Sequence, residues 1–166
     1  MIPRTLFSHE HELFRDSVRR FLAEHVEPHH AQWETDGQVP RDLWQRAGEL
    51  GLLCCNIPEA YGGMGGDFLH STILIEEFAA VGATGPTFYL HSDIVAPYLL
   101  DFGSEQQKQK WLPAMARGEV LVALGMSEPS GGSDVAAMRT QALRDGDEYV
   151  INGQKVFITN GHSADL

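Results

Sequence analysis

GMSEPSGGSDVAA, residues 125–137, marks where this chain changes character. An apolar run, Val120-Leu121-Val122-Ala123-Leu124, leads into it and gives way to small residues and hydroxyls. Ser127, Ser130 and Ser133 alternate with Gly131 and Gly132, and Pro129 forces a bend between them. A strand cannot pass through a proline and two glycines without losing ladder hydrogen bonds. The extended run is therefore expected to end near Ser127 and open into a loop rich in free N–H groups and hydroxyls. Glycine lets such a backbone approach a ligand closely, so the loop suits phosphates or the polar edge of a flat ring.

Downstream, strand patterns recur at residues 138–143, 148–151 and 155–159, with 120–126 as the first. Asp145-Gly146 and Asn152-Gly153 supply the positive backbone angles of tight turns, so an antiparallel meander is predicted. Upstream of Gly118-Glu119 every pattern is helical. Ser8 is a candidate N-cap for a helix with Phe14, Val18, Phe21, Leu22 and Val26 on one face and Arg15, Asp16, Arg19 and Arg20 turned to water. Pro28 ends or bends it. Pro40 opens a second helix over 41–50 with Gly51 as its stop. Asp67 caps a third, and residues 87–102 read as a buried helix kinked at Pro97. Ser104 and Gln107 form a capping box for a helix over 105–115 that contains Pro113.

Of the groups that tempt a chemical reading, His25 and His29 stand four apart on one helix. Without a cysteine, an HExxH pattern or an evident outer partner they read as a solvated helix end rather than a metal site. The glycines from Gly62 to Gly66 lack the Lys-Ser/Thr ending of a phosphate loop and read as a tight connection. Cys54 and Cys55, the only cysteines, are adjacent and flanked by leucines, so both are expected as small buried thiols.

The chain has 166 residues, 43% of them hydrophobic and 21% charged, which supports one large domain or two small ones. Its net charge of −11 would repel a phosphate backbone, so nucleic acid is a poor partner. No apolar run approaches the ~20 residues that span a bilayer. Met1-Ile2-Pro3-Arg4 carries neither a signal-peptide core nor a transit-peptide composition, which points to a cytoplasmic protein or a trimmed mature form.

The loop GMSEPSGGSDVAA followed by INGQKVFITNG at 151–161 resembles the flavin-binding signature of the acyl-CoA dehydrogenases. HELFRDSVRRFLAEHVEPHH at 11–30, the glycines at 62–66 with Asp67, and GSEQQKQKWLPAMARGE at 103–119 are similar to the same family. The Phe157-Ile158-Thr159 tripeptide and the His29-His30-x-x-Trp33 run resemble its long-chain type. The resemblance implies an α+β chain. An N-terminal all-helical bundle domain over 1–119 is followed over 120–166 by the beginning of an antiparallel, flavin-binding β-domain, and the C-terminal helical domain is absent.

By the same resemblance the cofactor is FAD. Leu124, Gly125, Met126 and Ser127 run along its ring, with the Ser127 hydroxyl at the pyrimidine edge where many members carry threonine. Ser133 lies against both acyl-CoA and cofactor, Phe157 packs on the ring face beside Ile158, and Thr159 hydrogen-bonds N5. The implied reaction is α,β-dehydrogenation of a fatty acyl-CoA to the trans-2-enoyl-CoA. Electrons pass to an electron-transfer flavoprotein, and the enzyme is a homotetramer of fatty acid β-oxidation. The region 87–102 borders the acyl chain. Acyl-CoA is itself an anion and must be held by local donors in so acidic a chain. The base must face the substrate opposite the flavin. Glu128, on the flavin loop itself, is poorly placed, and the family's glutamate comes from the domain this chain lacks, so no catalytic residue is assigned. Two rivals share the sequence features: an acyl-CoA or nitroalkane oxidase on the same scaffold, and a non-catalytic interaction module. Uncovered strand edges predict a sticky isolated chain that holds flavin weakly.

Overall fold

The computed structural model describes residues 5–166; Met1-Ile2-Pro3-Arg4, considered above for targeting signals, lies outside the described residues. Among the described residues the fold is α+β, the expected class: six α-helices followed by one antiparallel hairpin. The chain divides into two compact units at Leu121 and Val122.

In the helical unit, α1 (His9–Phe21) starts where Ser8 Oγ accepts the His11 N–H at 3.3 Å and His11 Nδ1 accepts the Ser8 N–H at 3.1 Å. This exchange satisfies two of the four N–H groups a helix start leaves orphaned. A π-helical turn, Leu22–Val26, follows and ends one residue short of the turn at Pro28. Then come α2 (His30–Asp36) and α3 (Arg41–Glu49), the latter entered through Pro40. The helix α4 (Phe68–Ala80) repeats the α1 start with Asp67 and His70 in the two roles. A second π-helical turn, Leu90–Val95, precedes α5 (Ala96–Phe102), and α6 (Glu105–Ala116) begins at the expected Ser104–Gln107 box and runs through Pro113.

The core sits where α1, α3 and α4 converge. Val18, Phe21 and Leu22 meet Trp44, Ile73 and Phe78, with Phe88 against Trp44 at a ring separation of 4.8 Å. Close approach of α3 to the turn after α6 depends on two glycines. A Cβ at Gly48 would overlap the Arg117 backbone, and one at Gly118, where φ is 67°, would overlap the Trp44 carbonyl.

Two helical expectations are corrected. Arg15 is buried rather than turned to water. Its guanidinium donates to Glu77 Oε1 at 2.6 Å and Glu76 Oε2 at 3.0 Å, so pairing offsets the cost of removing the charge from water. Residues 88–102 do form an unbroken helical run, the π-helical turn Leu90–Val95 passing into α5, but it is not buried all round: Tyr89, Tyr98 and Phe102 stand exposed. Proline is tolerated near a helix start because its missing N–H has no partner there anyway, and Pro97 occupies such a position in α5.

In the second unit, β1 (Gln141–Asp145) pairs with β2 (Glu148–Asn152), Asp145 opposite Glu148, so the two-residue loop is Gly146-Asp147. Gly146 takes the positive φ that this turn needs, 60°. The strands expected at 120–126 and 155–159 do not form among the described residues. A single backbone bond, Val156 N–H to Ser127 C=O at 2.9 Å, joins those segments in place of a ladder. Phe157 (φ 56°) and Asn160 (φ 62°) turn left-handed and interrupt the extended backbone that a ladder requires.

Candidate functional site

The residues singled out around Gly125 and Phe157 lie in the second unit, which is organised by the buried Glu128. Its backbone exchanges two hydrogen bonds with Gly131, closing the Pro129-Ser130 bend at 2.9 and 3.0 Å. Its carboxylate accepts the Arg139 N–H at 2.7 Å, the Thr140 N–H at 3.0 Å and Lys155 Nζ at 2.9 Å. The backbone donor at Arg139, with Thr140 and Lys155, holds this carboxyl far below the usual carboxylate range. A carboxylate so stabilised is a weak base. It acts as the knot of the loop.

Lys155 ties the two motif segments together. Its ammonium donates to the Met126 carbonyl at 3.0 Å as well as to Glu128. Where Gly125 lies, an added Cβ would stand 3.3 Å from Lys155 Cγ and 3.9 Å from Ile158 Cδ1. Asn160 Nδ2 donates to the Val122 carbonyl at 3.3 Å. Leu124, Gly125, Met126 and Ser127 are thus brought alongside 155–160. Gly132 reaches Ser127, with 3.6 Å between an added Cβ and Oγ, which sets Ser133 one residue further along the turn. Ser133 and Thr159 are both exposed.

What this unit offers a ligand is apolar surface with hydroxyls beside it. Phe157 is 97% exposed on a left-handed backbone, and Met126 is 50% exposed. Sequence reasoning noticed Glu128 but missed its structural task, and it missed Lys155 altogether. Lys155 in the run Gln154-Lys155-Val156-Phe157 carries no local sign of this task, because a lysine there fits equally well the solvent face of a strand.

In the helical unit, burial pushes the Cys54 thiol up to about 12 and raises that of Cys55 too, so both are inert buried thiols as expected. His25 and His29 line a cavity shared with Trp33 and Arg46, while His30 Nε2 accepts the Gly85 N–H at 3.3 Å. The cluster with ligand-like geometry among the described residues is a different one, His11, Asp67 and His70. His11 Nε2 and His70 Nδ1 lie 3.0 and 2.9 Å from Asp67 Oδ1. The Nδ1 atoms of both histidines accept the first N–H groups of their own helices, so helix capping accounts for the arrangement. A sequence pattern could not find it, because His11 and Asp67 are 56 residues apart.

A separate cavity of about 210 Å³ opens beside α4 and the segment after it. Leu74, Phe78 and Phe88 form its buried wall; Ile75, Ala79 and Tyr89 stand at its exposed rim. Asp93, on the second π-helical turn, is its acidic lining residue.

Residues 8–119 match the acyl-CoA dehydrogenase N-terminal domain, and residues 123–166 match the middle domain of the same family. The mitochondrial long-chain specific acyl-CoA dehydrogenase of Sus scrofa is 50% identical over 163 residues, covering 98% of this chain and 38% of the relative. A crystal structure of acyl-CoA dehydrogenase from Geobacillus kaustophilus superposes with a TM-score of 0.93 at 45% identity, over 98% of this chain and 43% of that one. An acyl-CoA dehydrogenase from Bacillus anthracis, solved in complex with FAD, superposes with a TM-score of 0.86 at 38% identity, over 96% of this chain and 28% of that one. The chain therefore spans about two-fifths of the length of the first relatives it matches. Both units, the motif segments and nearly every residue fall within the matches: the chain belongs to the acyl-CoA dehydrogenase family.

Proposed function

We propose that this chain supplies the flavin- and acyl-CoA-contacting part of an FAD-dependent acyl-CoA dehydrogenase that acts on long-chain fatty acyl thioesters. The identity to the long-chain specific enzyme over 98% of the chain carries this reading. The character of the second unit supports it: an exposed phenylalanine, an exposed methionine and loop hydroxyls on segments pinned by Lys155 fit a flat ring with a polar edge. When bound, FAD supplies the two-electron acceptor for α,β-dehydrogenation.

Phe157 and Met126 give the ring apolar contact and keep water from it. Leu124 and Gly125 let the backbone run close to it, Ser127 and Thr159 orient its polar edge, and Ile158 supports the segment from behind. Ser133 serves both cofactor and thioester. The cavity between α4 and the second π-helical turn receives the acyl chain. Residues 1–119 act as the helical domain and 120–166 as the first part of the β-domain. The base is contributed from outside these residues, electrons leave to an electron-transfer flavoprotein, and the working enzyme is a cytoplasmic homotetramer.

Fusing the 166 residues to the remaining domains of the Geobacillus kaustophilus relative tests the assignment. The fusion is expected to purify yellow, to be bleached anaerobically by a long-chain acyl-CoA, and to reoxidise slowly in dioxygen. The 166-residue chain alone is expected to hold flavin weakly and to show no turnover. Thr159→Val should weaken FAD binding about tenfold, the loss of one hydrogen bond to the ring. A colourless fusion indifferent to Thr159 would overturn the reading, and fast reaction with dioxygen would reassign it to an oxidase.

A further inference from the structure

The cavity beside α4 is apolar except at three residues, of which Thr84 and Tyr89 are exposed. The third, Asp93, is half-buried, and its position is unusual. Ser71, itself buried, donates to Asp93 Oδ1 at 2.6 Å. Among the described residues no other hydrogen bond and no basic side chain reaches this carboxyl, so Oδ2 is left without a donor. Satisfying the Ser71 hydroxyl requires only a neutral acceptor, and a carboxylate placed there carries a second oxygen beyond that need. Burial raises its pKa, as it does for any carboxyl short of donors. The π-helical turn Leu90–Val95 sets Asp93 there, and such turns recur at functional sites.

Assuming that this cavity holds the acyl chain, as the proposed function requires, we propose that Asp93 makes it selective for a fatty acyl thioester whose far end carries a hydroxyl, over one with a plain alkyl end. A volume of about 210 Å³ is below the roughly 300–1,000 Å³ of ordinary small-molecule pockets, so it takes the tip of a chain rather than a whole ligand. A terminal hydroxyl would donate to the open carboxylate oxygen while the methylenes behind it lie against Leu74, Phe78 and Phe88. A methyl end would strip water from that carboxylate and return nothing, and sites built for a hydrogen bond reject the analogue that lacks it.

Isothermal titration of the 166-residue chain with dodecanoyl-CoA and with its ω-hydroxy counterpart decides the matter. The hydroxylated thioester is expected to bind at least about tenfold more tightly. Asp93→Leu should reverse the order and Asp93→Asn should shrink the preference; the second variant keeps the acceptor for Ser71 and therefore the fold. Ala79→Phe, on the exposed rim, should block both ligands and so ties the binding to this cavity. Equal affinities, or a preference for the plain chain, would overturn the selectivity while leaving the acyl-binding role standing. If neither thioester binds, or if Ala79→Phe changes nothing, the cavity assignment falls and this inference with it.

Discussion

Arg15 and Glu77 show how strongly a single pair can be committed. Glu77 accepts from Arg15 at 2.6 Å and from Arg19 at 2.8 and 3.1 Å. Burial alone would raise the Glu77 carboxyl, but the hydrogen bonds from Arg19 and then Arg15 outweigh it and hold the group below its ordinary value. Removing one partner of a buried pair leaves the other charge uncompensated. Here Arg15 keeps Glu76 as a partner, so Glu77→Gln is expected to cost about 1.5–3 kcal/mol, the loss of charge-assisted hydrogen bonds, read as a fall in the urea midpoint with an unchanged slope. His91 sets a pH limit. It is fully buried against Trp44, donates from Nε2 to the Met115 carbonyl at 3.1 Å, and burial lowers its pKa from 6.5 to about 4. The fold holds it neutral, so between pH 6.5 and about 4 the unfolded chain binds the extra proton and stability falls as pH falls. The contribution is complete above pH 6.5 and its loss reaches about 3 kcal/mol at the acid end. Replacing His91 with Gln should flatten that part of a stability–pH curve; an unchanged slope would refute the neutral-core assignment.

Between elements, the contact of α3 with the turn after α6 has no spare volume. Both overlaps at Gly48 and Gly118 are with backbone, which cannot rotate away as a side chain can. Gly48→Ala, though favourable for an isolated helix, is expected to destabilise by at least about 2 kcal/mol because α3 must move off the turn. A thermal melt at or above the parent midpoint would show that the turn yields. In the second unit the corresponding link is Lys155. Lys155→Met removes the donor to both Met126 and Glu128, and is expected to weaken FAD binding in the fused enzyme while the helical unit keeps its melting temperature.

Across the whole molecule, burial is unevenly shared. The core cluster lies within the helical unit, whereas every residue of β1 and β2 is exposed. Amide exchange should therefore be slowest in α1, α3 and α4 and fast throughout 141–152, where two strands alone cannot exclude water. The hairpin also presents Leu143, Tyr149 and Ile151, the last 70% exposed, beside unpaired edge groups. Self-association that grows with concentration is expected by light scattering, and Ile151→Lys should reduce it. No helix among the described residues is long and apolar enough to cross a membrane.

Legible in the residues before any folding were the local features: the Ser8, Asp67 and Ser104 caps, the helical periods, the change of class after Gly118, a hairpin turning at Asp145-Gly146, and the family motifs. Each of these depends on residues a few positions apart, whose preferences act before the chain has folded. Long-range packing was needed to show that Arg15 is interior, that Asp67 gathers two histidines, that Glu128 ties Arg139, Thr140 and Lys155 together, and that 155–160 bends away from a strand at Phe157. Those outcomes rest on partners such as Glu77, Arg139 and His11, brought together from distant parts of the chain. The energy of a buried charge is set by which groups end up around it, and that is defined only once the chain has closed on itself.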